Sequence, residues 1–323
     1  MKVLSEAYLP YRVGGLMYCP ADNCTVADKI VENKIPCLTS LCLCLEDSVS
    51  DERLPLAEQG LKRSLEKLAA NKADKQAAPM LFVRIRTPEH LWRIYEENKG
   101  TVSVLTGFVL PKFELSNAHE YMSVFRKMEA DGNFFYAMPT LESSVVADVT
   151  GRAERLLRLK EILDENKKYV LNIRVGGNDF AQLFGVRRSV TQNVYQIGVI
   201  QNILTDVINV FSRTYVVSGP VWEYFGQDEN GAWAQGLKKE MELDILNGFI
   251  GKTAIHPTQL PVIFDGLKVS AADFEDAKRI LSWNGAQGGV AKSADGGRMN
   301  EVKTHTKWAE KTYILGTLYG VKD

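Results

Sequence analysis

The sequence predicts an α/β protein in which eight strands alternate with helices to form a closed (β/α)8 barrel, followed by a helical extension. Short apolar runs rich in Val, Ile, Phe and Tyr recur as far as Ile255, with helical patterns between them. Eight such runs occur, and this alternation is typical of parallel strands joined by crossover helices. The chain has 323 residues, which is enough for a barrel of about 250 residues and a further segment.

The individual elements follow from the spacing of the apolar residues. We expect strands at residues 16–19, 41–46, 81–86, 107–110, 135–141, 169–175, 215–217 and 249–255. We expect helices at residues 57–70, 118–128, 153–163, 194–211 and 233–246. A doubly wound open sheet would produce the same alternation, so it stays open as an alternative at this point.

The pattern changes after Ile255. His256 and Pro257 begin a turn, an Ala-rich helix is expected at residues 271–281, and a Gly-rich stretch at 285–297 precedes a final amphipathic segment at 306–318. We therefore expect a barrel domain over residues 1–260 and a C-terminal helical extension over 261–323. A long Gly-rich loop of this kind often acts as a lid.

Composition excludes several classes of protein. The chain has 39 Lys and Arg residues against 40 Asp and Glu residues, a formal net charge of −1, which argues against a nucleic-acid-binding protein. No apolar run approaches about 18 residues and no signal peptide is recognisable, so we expect no membrane contact and a cytoplasmic location. Five cysteines, all between Cys19 and Cys44, are too few and too clustered for a disulfide framework.

Ionisable residues end six of the eight expected strands. Because the carboxyl ends of barrel strands surround one mouth, these side chains should lie close together there. Anionic and cationic groups at one mouth suggest a small anionic substrate held with a divalent cation, and Glu142 and Asp179 could share Mg²⁺. Each acid alone could equally be a helix cap or a surface group. The residues at the strand ends are Glu46 and Asp47, Arg84 and Arg86, Lys112, Glu142, Asp179 and His256.

Alternation along the strands indicates which side chains face the interior. On the third strand Phe82, Arg84 and Arg86 share one face, opposite Leu81, Val83 and Ile85. Two arginines cannot face an apolar helix layer unpaired, so they should point into the mouth. Arg174 on the sixth strand has the same orientation. For Arg86 and Arg174, an ion pair inside the barrel is the alternative to ligand contact.

Several segments resemble the citrate lyase β-subunit-like branch of the HpcH/HpaI aldolase family. Residues 45–49 resemble its Leu-Glu-Asp-Ala/Ser-Val, 83–85 its Val-Arg-Ile, and 110–112 its Leu-Pro-Lys. Glu142 is similar to its Glu-Thr, 177–181 to its Gly-x-x-Asp-Leu, and 248–257 to its Gly-Phe-x-Gly-Lys-x-x-Ile-His-Pro. The family consists of Mg²⁺-dependent carbon–carbon lyases on a TIM barrel.

The resemblance implies roles for individual residues. Glu142 and Asp179 would ligate Mg²⁺, and Arg84 would neutralise a substrate carboxylate or an enolate oxygen. Asp47, as a further catalytic residue, and Lys112 would line the mouth, and Arg86 is a substrate-binding candidate. Lys252 and His256 would lie near the thioester or nucleotide part of a coenzyme A (CoA) substrate.

The sequence also departs from the family pattern. Ser218 stands where the family has an acid, and Arg86 stands where it has Asn. Residues 297–303 resemble the Gly-x-Met-x-Asp-x-Pro of malyl- and citramalyl-CoA lyases, with Glu301 at the Asp position and Lys303 at the Pro position. These departures suit a divergent branch that is linked to bacterial tellurium- and stress-resistance gene clusters.

The same resemblance predicts a homo-oligomer, a trimer or hexamer. Met299, Trp308 and Tyr313 in the tail are apolar enough to need a covering surface, which a neighbouring subunit can supply. The tail would cross to an adjacent barrel and place Glu301 there as an acid or base.

The predicted function is Mg²⁺-dependent cleavage or formation of a small β-hydroxy acid as its CoA thioester. Two alternatives are a thioester-free aldolase that releases pyruvate and a non-catalytic member that acts as a binding or assembly subunit. Ser218 favours the non-catalytic alternative, whereas Arg84, Glu142 and Asp179 oppose it.

Overall fold

Eight parallel strands form the wall of a barrel in the computed structural model, which describes residues 6–23, 25–71, 78–283, 289–293 and 296–322. They are β1 (Gly15–Pro20), β2 (Ser40–Cys44), β3 (Met80–Arg84), β4 (Gly107–Leu110), β5 (Tyr136–Leu141), β6 (Ile173–Val175), β7 (Val217–Ser218) and β8 (Lys252–Ala254).

Neighbouring strands pair in chain order, and β8 also pairs with β1. A parallel bridge between Gly219 and Lys252 joins the two ends of the sheet, and Ile250 N donates to the Val217 carbonyl at 2.8 Å. The predicted (β/α)8 barrel is confirmed. The doubly wound alternative is excluded because such a sheet has two free edges.

Helices cover the outside of the wall. The helix at Pro88–Glu97 has a capped start, because Thr87 accepts from His90 N and Pro88 follows it. The helices that precede the C-terminal extension are α1 (Leu9–Arg12), α2 (Val26–Val31), α3 (Leu54–Ala70), α4 (Pro88–Glu97), α5 (Ala118–Ala130), α6 (Ser144–Ala147), α7 (Arg152–Glu165), α8 (Gly177–Leu183), α9 (Gly198–Phe211), α10 (Ala232–Leu246) and α11 (Gln259–Gly266).

Two apolar cores result from the strand alternation. On β2, Leu41 and Leu43 pack against the helices, whereas Cys42 belongs to the smaller core inside the barrel. That inner core also contains Phe82 and Met138. Apolar side chains therefore fill the barrel below its carboxyl end, and charged side chains occupy the space above them.

Several strands are shorter than expected, among them the sixth and the seventh. Tyr169 lies in a 3-10 turn rather than in β6, and Tyr215 precedes β7, where its hydroxyl donates to Asp164 at 2.7 Å. Both residues are buried. Burial against helices, not strand pairing, accounts for their apolar character. Cys19, Cys37, Cys42 and Cys44 are free thiols, and Cys24 lies outside the described residues.

The extension consists of β9 (Val269–Ser270), α12 (Ala271–Leu281), β10 (Val290–Lys292), β11 (Met299–Glu301), α13 (Val302–Tyr319) and β12 (Val321–Lys322). It begins after α11, which crosses the expected domain boundary at residue 260 and packs against α10. Of the Gly-rich stretch expected at 285–297, residues 285–288 and 294–295 lie outside the described residues.

The described part of the extension lies at the amino end of the barrel. The Tyr319 hydroxyl donates to the Tyr11 carbonyl at 2.7 Å, and a cavity of about 560 Å³ between α13 and the barrel is lined by Trp308, Lys311 and residues 212–216, which precede β7. The described part of the extension therefore does not lie over the mouth of its own barrel.

The premise that the final helix lacks a covering surface is also wrong. Trp308 and Tyr313 pack on α12, and Leu318 packs on the main core. Met299 stays 58% exposed. No helix among the described residues is long and apolar enough to cross a membrane.

Candidate active site at the carboxyl end of the barrel

One guanidinium nitrogen organises the mouth. Arg84 ends β3 and is buried. Its Nη2 lies 2.8 Å from Glu46 Oε2, 3.0 Å from Asp47 Oδ2 and 2.9 Å from Glu142 Oε1. Three strand ends are thus joined through one cation, which offsets the repulsion among the carboxylates.

Lys112 contributes both its backbone and its side chain. Its N–H donates to Glu142 Oε1 at 3.0 Å, and its Nζ lies 2.6 Å from Glu46 Oε1 and 3.2 Å from Asp47 Oδ1. The backbone has a φ of 46°, a left-handed conformation that costs a non-glycine residue about 1–3 kcal/mol. The strained turn directs the amide toward Glu142.

Glu142 and Asp179 face one point. A Cβ added to Gly176 would lie 2.5 Å from Glu142 Oε2 and 3.1 Å from Asp179 Oδ2. These two oxygens are therefore separated by no more than the sum of those distances, an upper bound that includes the spacing of about 3–4 Å between two oxygen ligands of one Mg²⁺. Only glycine at position 176 keeps the space between the carboxylates clear.

The environment gives these acids different proton affinities. Burial raises the pKa of Glu142 to about 7, and the nearby charge of Asp179 also raises it, while Arg84 lowers it. Burial and the charge of Asp47 raise the pKa of Asp179. Burial would raise the pKa of Asp47 too, but Arg84, Glu46 and Lys112 outweigh it and lower that pKa.

Arg86 and His256 lie farther from this cluster. Arg86 Nε donates to the Leu45 carbonyl at 2.7 Å, its Nη2 donates to the Val49 carbonyl at 2.6 Å, and it pairs with Asp51. It therefore holds the loop after β2. The His256 ring stacks on Phe225 with ring centroids 4.5 Å apart, at the rim beyond β8.

Lys252 does not belong to the mouth. It is fully buried, and its Nζ lies 2.9 Å from Glu240 Oε1 and 2.6 Å from Asp244 Oδ2, both on α10. Arg188 completes this network at 3.3 Å from Glu240 Oε2. The Lys252 side chain therefore points outward from the barrel wall to the helix layer. The expectation that Lys252 contacts a CoA substrate therefore does not fit the structure.

Glu301 is separated from the cluster within one chain. It ends β11 in the extension, where its N–H donates to His305 Nδ1 at 2.9 Å. Because the extension lies at the amino end of the barrel, Glu301 could reach a mouth only on another copy of the chain.

Tyr18 was not identified from the sequence, and Glu46 and Arg174 were placed at the mouth without an assigned catalytic or binding role. Glu46 pairs with both Arg84 and Lys112, and its position two residues after Cys44 indicates that it faces inward. The ring centroid of Tyr18 lies 5.7 Å from the Arg84 guanidinium carbon, and its hydroxyl hydrogen-bonds the Arg174 side chain. Arg174 is 1% exposed and, in the described part of the chain, forms no ion pair.

We predict that Lys252→Met lowers the free energy of unfolding by about 3–5 kcal/mol, because Glu240 and Asp244 would be left buried without their cation. Urea unfolding measures the change. The control is Lys238→Met, at an exposed position of α10, the helix that carries Glu240 and Asp244. A variant as stable as the wild type but with a raised KM would restore the substrate-binding role.

Comparison with known proteins agrees with this architecture. A family model described as C-C_Bond_Lyase of the TIM-barrel fold matches residues 7–321. No curated protein matches the chain in sequence. The chain is similar to the structure of CitE from Mycobacterium tuberculosis in complex with magnesium, acetoacetate and coenzyme A, with a TM-score of 0.62, 18% identity, and coverage of 95% of this chain and 99% of that chain.

A second similar structure is a citrate lyase from Burkholderia xenovorans LB400. Its TM-score is 0.68 at 13% identity, and the match covers 99% of this chain and 96% of that chain. At such identities these likenesses show the fold. The family model spans nearly the whole sequence, however, and it confirms the resemblance that the motifs indicated. The protein therefore belongs to the carbon–carbon bond lyase family of the TIM-barrel fold.

Proposed function

We propose that the protein is a Mg²⁺-dependent lyase that cleaves or forms a carbon–carbon bond in a small β-hydroxy acid. The observation that carries the proposal is the Glu142–Asp179 pair, which faces one point beside the buried Arg84. Two convergent carboxylates next to a guanidinium suit an anionic substrate together with a divalent cation.

The donor set fits Mg²⁺ better than a metal that needs a complete protein cage. Among the described residues no group of three or more His, Cys, Asp or Glu side chains could hold an ion. Mg²⁺ commonly takes one or two carboxylates and keeps water or substrate oxygens as its other ligands. Held by Glu142 and Asp179, Mg²⁺ would polarise the substrate's hydroxyl and carboxylate oxygens.

The residues around this pair suit the charge changes of the reaction. In the cleavage direction the substrate hydroxyl gives its proton to a base, its carbon becomes a carbonyl, and the electrons of the broken carbon–carbon bond move to form an enolate. A proton added to the enolate carbon completes the reaction. Arg84, fixed by three carboxylates, would stabilise the enolate oxygen, and Lys112 adds a second cation at the rim.

Asp47 is a poor candidate for the base. Its lowered pKa keeps it ionised but weakens it as a proton acceptor near neutral pH. We assign it the positioning of Arg84 and Lys112. Glu301 of an adjacent chain would then serve as acid or base, and this assignment requires a homo-oligomer, with a trimer or hexamer expected.

The form of the substrate is a separate question. CitE of Mycobacterium tuberculosis was solved with coenzyme A, and a CoA thioester is the form expected from the motifs. Burial of Lys252 removes one of the two residues expected to contact CoA and leaves His256 at the rim. This observation favours the alternative of a free hydroxy acid.

The non-catalytic alternative draws less support. Ser218, which replaces the family acid, is fully buried; it donates to the Ile250 carbonyl at 2.8 Å and accepts from Asn172 at 2.9 Å. It therefore belongs to the closure of the barrel, below the charged cluster. The arrangement of Arg84, Glu142 and Asp179 does not depend on an acid at that position.

We predict that Asp179→Asn weakens Mg²⁺ binding at least tenfold while the stability of the metal-free protein stays equal or rises. The reason is that one of two converging carboxylates loses its charge. Isothermal titration calorimetry and thermal denaturation measure the two effects, with the exposed Asp265→Asn as control. Loss of folding with unchanged Mg²⁺ affinity would contradict the metal site.

The same experiment has a pH dependence. Because the pKa of Glu142 is about 7 in the metal-free protein, protons compete with Mg²⁺ below that pH, and the affinity at pH 6 should be about tenfold weaker than at pH 8. The raised pKa also means that the metal-free protein loses stability as pH rises from about 4.5 to 7.

We predict that Arg84→Gln lowers kcat by about 10²–10³ because the enolate loses its fixed cation. The assay incubates protein and Mg²⁺ with matched free hydroxy acids and their CoA thioesters and follows the cleavage products; Arg126→Gln, on the outer helix α5, is the control. If no member of the panel is cleaved, the non-catalytic alternative gains support.

We predict that mixed oligomers of Arg84→Ala and Glu301→Gln recover part of the activity that each variant lacks. Each mixed interface can combine an intact Arg84 with an intact Glu301 from the neighbour. Native mass spectrometry verifies subunit exchange before the assay. Exchange without recovery, or a monomer at working concentration, would rule out the contribution of Glu301 from an adjacent chain.

A further inference from the structure

The cavity of about 560 Å³ at the amino end of the barrel has no part in the proposed reaction. The residues that line it come from α1 and the turn before it, from the segments that precede β6 and β7, and from α13. The charged cluster around Arg84 lies at the carboxyl end of the strands. The cavity is therefore a separate site on the opposite face of the barrel.

The lining of this cavity is rich in cations. Lys167 precedes β6, Arg213 precedes β7, and Lys307 and Lys311 lie one turn apart on α13. Glu310 is the one acid among the described residues of the lining. Within the described ranges none of the four cationic side chains forms an ion pair. The cavity thus carries a positive charge that those residues leave unbalanced.

Lys311 is the most enclosed of these cations. Its side chain is partly buried, and burial lowers the pKa of its ammonium group, with no carboxylate of the described residues to offset the effect. An ammonium group that loses water without gaining a counter-ion is unfavourable. Lys167, Arg213 and Lys307 are exposed, so the cavity is open to solvent. An anion that enters it would supply the counter-ion that Lys311 lacks.

The cavity is also larger than a bare anion requires. Sites for small organic molecules typically enclose about 300–1,000 Å³, and this cavity falls within that range. Trp308 and Tyr11 give it ring surface, and Pro10 and Leu171 add apolar contacts. Trp308 lies three residues before Lys311, so the two side chains share one face of α13. Ring surface next to cations suits a ligand with a flat ring and an anionic group.

We propose that this cavity binds a nucleotide, with its phosphates at Lys311, Lys167 and Arg213 and its base packed on Trp308. Lysine and arginine bind phosphate through charge-assisted hydrogen bonds, and the Thr214 hydroxyl in the lining is a further donor. A base of any kind can stack on an aromatic side chain. The inference goes beyond the proposed lyase function and does not depend on it, because the nucleotide lies far from the mouth and is not a reactant.

Calorimetric titration of the metal-free protein in EDTA with ADP, adenosine and pyrophosphate tests the proposal. Adenosine contains the ring without the phosphates, and pyrophosphate contains the phosphates without the ring. We expect one ADP to bind per chain, at least tenfold more tightly than either of the other two ligands, because only ADP engages both the cations and Trp308.

Substitutions in the cavity separate the two contributions. Lys311→Met should weaken ADP and pyrophosphate binding about tenfold to hundredfold, the range for a hydrogen bond to a charged group. Lys167→Met, on a different segment, should weaken both ligands as well. Trp308→Leu should weaken ADP about tenfold and leave pyrophosphate unchanged. The matched control is Lys303→Met, at an exposed position of α13 outside the cavity, which should bind ADP like the wild type.

Three results would overturn the nucleotide site. They are no saturable ADP binding by the wild type, pyrophosphate binding as tight as that of ADP, and ADP affinity that survives both Lys311→Met and Lys167→Met. The last would place ADP elsewhere on the protein. Thermal denaturation verifies that each variant is folded, and Lys311→Met should be at least as stable as the wild type because it removes a desolvated charge.

Failure of this site is distinct from failure of the proposed function. Asp179→Asn, which removes a carboxylate from the mouth, should leave ADP affinity unchanged. A protein that binds ADP through Lys311 but cleaves no hydroxy acid keeps the nucleotide site and loses the lyase proposal. A protein that cleaves hydroxy acids but binds no ADP keeps the lyase proposal and loses the nucleotide site.

Discussion

The contact of Arg84 with three carboxylates is the interaction on which the mouth of the barrel depends. Glu46, Asp47 and Glu142 come from two different strand ends, and all three meet Arg84 Nη2. Without that cation, acids so close together and partly shielded from water would repel one another and take up protons. Lys112 adds a second cation to Glu46 and Asp47.

The barrel supplies what this cluster needs by separating its interior into two levels. Apolar side chains such as Phe82 and Met138 form an apolar core inside the barrel, on the amino-terminal side of the charged cluster. Strand alternation then places Arg84 directly above Phe82. Two local backbone features finish the site: Gly176 leaves room between Glu142 and Asp179, and the left-handed turn at Lys112 directs an amide at Glu142. Neither feature follows from the regular fold.

The sequence predicted the barrel because the alternation of strands and helices is a local pattern. It also predicted that Arg84 points into the mouth, because the alternation of inward- and outward-facing side chains along a strand is local as well. It missed the helix at Pro88–Glu97, although Thr87 and Pro88 mark its start. The resemblance placed Lys252 near a CoA substrate, whereas the structure buries it against Glu240 and Asp244, which lie on a helix whose buried face is set by tertiary packing. Nor does local pattern show at which end of the barrel the extension packs.

The barrel wall is not equally strong around its circumference. Five residue pairs join β1 to β2 and five join β2 to β3, whereas two pairs join β6 to β7 and a single bridge joins Gly219 to Lys252. Arg174 and Thr253 lie on this thinly paired side, and their side chains span the gap across β7. Closure of the barrel on this side therefore relies on a side-chain hydrogen bond as well as on backbone pairing. Local opening of the wall is expected to begin at β7, where the fewest backbone bonds have to break.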